Sequence, residues 1–146
     1  METFDRVREN TAEQINRTID LDIDARIREF ATRSPEEIDQ RIFQLDREWD
    51  IDQLLECNAS VLAFTGLMLG MRSDRRWLIL PSIVLPFLFL HAVQGWCPPV
   101  PVLRRLGFRT RQEIDREKYG LKVLRGDFSN MDESERPESA INAVAA

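Results

Sequence analysis

The stretch WLILPSIVLPFLFLHAVQGW, residues 77–96, decides the fold. Residues 77–93 carry no Asp, Glu, Lys or Arg. Twenty residues at about 1.5 Å of rise each make a helix of about 30 Å, close to the thickness of a bilayer's hydrocarbon core. Pro81 and Pro86 lie inside the run, where a bilayer helix tolerates them better than a soluble one. Trp77 and Trp96 bracket it at the positions where interfacial aromatics sit.

Upstream, LLECNASVLAFTGLMLGM (54–71) is a second apolar run, of about 27 Å as helix, with Glu56 and Asn58 near its start. Only RSDRR (72–76) separates the two runs, which predicts a tight antiparallel hairpin. Buried helices of a soluble protein are the competing reading, and the prolines and tryptophans of 77–96 weigh against it. The mean hydropathy of −0.33 averages two unlike regions. Residues 1–50 hold 14 acidic and 8 basic side chains, which marks a solvated segment. A net charge of −5 offers no basic excess for phosphates, so nucleic acid is not an expected partner.

The flanks read as helices. Ile15, Ile19, Ile23, Ile27 and Phe30 form a narrow apolar stripe, and Ile38, Ile42, Leu45 and Trp49 form another. TAEQ (11–14) and SPEE (34–37) have capping-box form, and TRQE (110–113) predicts a helix from Thr110 to about Leu124. In that last helix Ile114, Tyr119, Leu121, Val123 and Leu124 make no clean stripe. The fold class is therefore all-α: a two-helix transmembrane hairpin with amphipathic cytoplasmic helices on both sides. Its segments are a charged amphipathic N-region (1–50), the hairpin (51–97, spans at about 54–71 and 77–96), a juxtamembrane connection and helix (98–126), and a polar tail (127–146) that reads as disordered.

METFDRVREN opens charged, with no apolar run behind it, which is the pattern of a chain without a signal peptide. Arg72, Arg75 and Arg76 lie on one side of the spans; Arg47, Arg104, Arg105, Arg109 and Arg111 lie on the other. This excess places both termini in the cytoplasm under the positive-inside rule.

Three constellations are candidate sites. Ala59, Ala63, Gly66 and Gly70 share one helix face and include a GxxxG, which suits either a dimer interface or the groove that receives the second span. Centring the hairpin on Asp74 puts residues whose numbers sum to about 148 at one depth. Cys57 is then level with His91, while Glu56, Asn58 and Gln94 fall within a turn, and the five form a candidate polar intramembrane cluster. Cys97 is the candidate thiol: Pro98 and Pro99 end the helix beside it, and Arg104 and Arg105 follow. No HxxxH or CxxC spacing supports a metal site, and no cofactor is expected.

The sequence GWCPPVPVLRRLG (95–107) after a two-span hairpin resembles the YgaP-like inner-membrane transmembrane domain, a small bacterial family of largely unknown function. The resemblance covers about residues 50–110. Members tend to carry an Asp-Arg pair and a further Arg just before the first span, where this chain has REWDIDQ; its DRVR lies at 5–8. Some members are fused to a sulfurtransferase domain, but neither CNASVL nor CPPVPV matches the Cys-x4-Arg/Lys persulfide loop, so that activity is not carried over. The family implies a homodimer built on its membrane helices. The expected function is a non-catalytic anchoring or assembly subunit of the bacterial inner membrane. It would contact the lipid bilayer, self-associate (a dimer favoured), and present cytoplasmic helices to a cytoplasmic or membrane protein partner. The alternative is a thiol or persulfide relay, or passage of small sulfur anions, using Cys97 with His91 and Cys57.

Overall fold

The computed structural model describes residues 5–128, and every regular element among them is helical. In chain order these are α1 (Arg6–Glu9), α2 (Glu13–Phe30), α3 (Pro35–Asp46), α4 (Ile51–Arg72), a 3-10 turn (Arg75–Leu78), α5 (Ile79–Gln94), α6 (Val100–Arg105) and α7 (Arg111–Arg125). Two helical stretches, one ending at Arg72 and one spanning Arg75–Gln94, are long and apolar enough to cross a membrane. The chain divides into two compact units, residues 1–20 with 49–112 and residues 21–48 with 113–146. The unit boundaries fall inside α2, between α3 and α4, and inside α7. Of the expected tail only Asp127 and Phe128 are among the described residues; 129–146 lie outside them.

In the first unit α4 starts three residues earlier than the apolar run suggests, because Asp50 caps it. The Asp50 carboxylate accepts from the Gln53 N–H at 2.8 Å, and the Ile51 N–H reaches the Arg109 carbonyl at 3.0 Å. α4 packs on α5 and the 3-10 turn. A Cβ built on Gly66 would fall 2.6 Å from Pro81 Cδ, and one on Gly70 would fall 2.5 Å from Leu78 Cδ2. The glycine half of the small-residue stripe therefore packs against the second apolar stretch of the same chain. Only hydrogen fits at that separation. Val7, Ile51, Leu55, Cys97 and Val100 are buried together, with Phe87, Leu103 and Phe108 against them.

α5 ends at Gly95, whose φ of 74° takes the left-handed turn that glycine adopts without strain. The last-turn carbonyls of α5 are met from α1. Arg6 donates to the carbonyls of Ala92 at 2.7 Å and Val93 at 3.3 Å, and Asn10 donates to that of Gln94 at 2.8 Å. Asp5 in turn caps α1 by accepting from the Val7 and Arg8 N–H groups. Two readings of the sequence change here. Thr11 does not open a capping box; its hydroxyl donates to the Val7 carbonyl at 2.7 Å, so it belongs to the exit of α1. Arg104 is not a water-facing anchor: it is 1% exposed and donates to the Phe108 carbonyl and to Asn16 Oδ1. The turn after α6 brings the Phe108 carbonyl to it, and α2 brings Asn16.

In the second unit the SPEE box forms as read, with Ser34 Oγ accepting from the Glu37 N–H and the Glu37 carboxylate accepting from the Ser34 N–H. Ile38, Ile42, Leu45, Ile114 and Leu121 make the core, with Phe30 against it. α7 lacked a clean apolar stripe because its inward row is Ile114, Glu117, Leu121. Glu117 is fully buried and accepts from Arg41 Nε at 2.9 Å, with Arg26 at 3.5 Å. Tyr119, Val123 and Leu124 are exposed. A polar residue on the buried row is permitted because its charge is matched there.

Candidate functional site

The first turn of α4 and the last turn of α5 bring Asp52 to His91, with His91 Nε2 2.9 Å from Asp52 Oδ1. The His91 side chain is 6% exposed. A carboxylate only accepts, so in the neutral ring Nε2 carries the proton and Nδ1 is left as a bare acceptor. Nδ1 is buried with no hydrogen-bond partner, and so is Asp5 Oδ2. Buried polar atoms of native proteins are nearly always paired, so each such atom asks for a partner.

Both residues line one polar cavity of about 670 Å³, together with Arg6, Asp52, Glu56 and Arg111. Leu88 and His91 also line a second cavity of about 260 Å³. Its walls are apolar: Leu55, Ala59, Ile83, Phe87 and Cys97 are among them. The two spaces thus share a wall, polar on one side and hydrocarbon-like on the other.

The polar cluster foreseen from the depth rule is not assembled as such. His91 pairs with Asp52 rather than with Cys57 or Glu56. Asn58 turns back to the Leu54 carbonyl of its own helix at 2.8 Å. Cys57, Asn58 and Gln94 are exposed, and the Gln94 backbone carbonyl accepts from Asn10. Glu56 is exposed on the wall of the polar cavity. The reason is azimuth: equal depth does not put residues on one helix face. The small-residue stripe does. Ala59, Ala63, Gly66 and Gly70, continued upstream by four and three residues, reaches Leu55, which is buried, and Asp52, which meets His91. That extension is the signal that identifies Asp52. Asp5 and Arg6 had no such signal.

Cys97 sits in the core cluster with Val7 and Leu55, and burial pushes its thiol above the ordinary value. Arg104 is committed to Phe108 and Asn16, so it is not the activating cation that the sequence suggested. Cys57 is exposed beside Trp49 and Gln53, and both cysteines are free. The site is therefore rich in hydrogen-bond acceptors. Comparison with known proteins gives no matching family model, no matching curated protein and no matching solved structure, so function is argued from this geometry.

Proposed function

We propose that this chain is a non-catalytic anchoring or assembly subunit of a bacterial inner membrane. In this reading α4 and α5 cross the bilayer as a hairpin with both termini in the cytoplasm. The helices of the second unit bind a protein partner, another copy of the chain included. The supporting observation is the outward surface of α4 and α5. Phe64 is 62% exposed, Met71 75%, Ile79 66% and Phe89 68%, on helices without a charged residue between Glu56 and Arg72 or between Arg76 and Arg104. A soluble monomer rarely shows so large a contiguous apolar patch; lipid covers it without cost. The Gly-Trp-Cys-Pro exit that resembles the YgaP-like family agrees with this placement. Cys97 in the core leaves the thiol relay as the weaker reading.

Expressed in a bacterium, the chain should float with inner-membrane vesicles and resist alkaline extraction. Ser73→Cys in a Cys57→Ser background should be labelled by an impermeant maleimide added outside spheroplasts; labelling only after lysis would reverse the topology. Photocrosslinkers on the exposed face of α3 should trap a partner or a second copy. A clean monomer at every position would sink the assembly role.

A further inference from the structure

α6 and the two turns that flank it are built inside out. Val100 and Arg104 point inward and are buried, and the Arg104 guanidinium is held by the Phe108 carbonyl and Asn16 Oδ1. The opposite side carries Pro98, Val102 and Leu106, four residues apart and therefore on one ridge, with Pro99, Pro101 and Arg105 beside them. All six are exposed, Val102 by 58% and Leu106 by 69%. An element that faces water turns its arginine out and its valine and leucine in. Here the order is reversed.

Two further observations say what covers that ridge. Its near end runs into the apolar surface of the hairpin, where Pro98 and Pro99 wall the apolar cavity together with Leu62, Ile83 and Phe87. Phe87 lies seven residues before the end of α5, about 10 Å back along the helix axis. It also packs against the cluster that holds Cys97 and Val100, so the segment folds back toward the spans instead of leading away from them. The second observation is the backbone. Pro98, Pro99 and Pro101 have no N–H. The N–H groups of Val100, Val102, Leu103, Leu106 and Gly107 are all bonded to carbonyls between Cys97 and Arg104. Hydrocarbon tolerates only backbone that is paired in this way.

We propose that this ridge docks on the bilayer at the boundary between headgroups and acyl chains. Val102 and Leu106 enter the acyl region, the exposed Trp96 joins them at the interface, and the Arg105 guanidinium reaches up to lipid phosphate. The inference rests on the membrane reading of α4 and α5 and adds a third lipid contact to it. Because Arg104 on the back of the ridge holds Asn16, docking ties the start of α2 to the lipid-bound segment.

The test attaches a nitroxide to single cysteines of the full chain, in a Cys57→Ser, Cys97→Ala background, reconstituted in vesicles of phosphatidylethanolamine and phosphatidylglycerol. Val102→Cys and Leu106→Cys are read separately, so a fault in one variant leaves the other. Phe89→Cys is the lipid-facing reference and Gln40→Cys the water-facing one. On the ridge, molecular oxygen should relax the nitroxide as it does in Phe89→Cys. A water-soluble nickel chelate should relax it at least about fivefold less than in Gln40→Cys, as expected for a depth of about 5–10 Å. Nickel access equal to that in Gln40→Cys, with Phe89→Cys lipid-like, overturns the proposal and leaves the membrane reading standing. Exclusion of both oxygen and nickel from the ridge overturns it too, since protein rather than lipid then covers Val102 and Leu106. Water-like relaxation in Phe89→Cys removes the membrane reading itself, and the docking with it.

Discussion

Gly95 and Gly107 both hold left-handed backbone, with φ of 74° and 90°, yet they differ in surroundings. A Cβ on Gly95 would lie 2.5 Å from the backbone carbon of Arg6, whereas a Cβ on Gly107 meets nothing within 4 Å. Gly107→Ala should therefore cost only the left-handed penalty, about 1–2 kcal/mol. Gly95→Ala should cost that plus about 1–3 kcal/mol for pushing α1 off the end of α5. Thermal unfolding in one detergent measures both, and equal losses would mean that α1 does not press on Gly95. The cysteines give a second contrast at this scale. Cys57 is exposed, while Cys97 is buried with its thiol pushed upward. At neutral pH N-ethylmaleimide should modify Cys57 at least about tenfold faster, since reaction needs an accessible thiolate. Mass spectrometry of timed samples reads the ratio, and comparable rates in the folded chain would revive Cys97 as a reactive thiol. The neighbour of Gly95 could not be read from the sequence, because Arg6 is remote in the chain.

Between elements, packing depends on what each neighbour can yield. Opposite Gly66 stand the Pro81 ring, Leu80 Cβ and the Trp77 carbonyl; opposite Gly70 stands mainly the flexible end of Leu78. Gly66→Ala should destabilise the packing of α4 on α5 by about 1–3 kcal/mol, and Gly70→Ala by less, because a rigid ring and backbone cannot step aside. Steric trapping or denaturation in micelles would rank the two; the reverse order would refute the contact geometry. In the second unit Glu117 joins α7 to Arg41 of α3 and Arg26 of α2. Glu117→Ala leaves a guanidinium without its buried partner. Because Arg26 and Arg41 retain some exposure, the loss should be about 2–3 kcal/mol, below the full cost of orphaning a buried charge. A change under about 0.5 kcal/mol in chemical denaturation would class the contact with surface pairs. The sequence already showed α3, α4, α5 and α7, through periodicity, the Ser34 box and the Thr110 start. It hid the inward row of α7, since an ion-paired carboxylate looks like a solvent residue until its partners are known.

At the scale of the whole chain, each compact unit is built from two separate stretches of sequence. The second unit needs α7, which supplies Ile114 and Leu121 to the core around Ile38, Ile42 and Leu45. A chain ending at Gln112 should lose that core. Limited trypsin digestion should then cut at Arg33 and Arg41 at least about tenfold faster than in the full chain, following the population of the opened state. Unchanged protection of α3 would show that it stands without α7. Apolar runs of membrane-spanning length, the charged flanks and the helix starts at Ser34 and Thr110 were legible in the sequence, because hydropathy and capping act over a few residues; the end of α5 was not, since Gly95 terminates it ahead of Pro98 and Pro99. Only the tertiary structure decided that His91 meets Asp52, that Gly66 and Gly70 face their own second helix, that α1 closes the end of α5, and that Cys97 and Arg104 turn inward. Those outcomes depend on which face a helix presents and which distant segment returns to it, and both are settled by packing over the whole unit rather than by any local stretch.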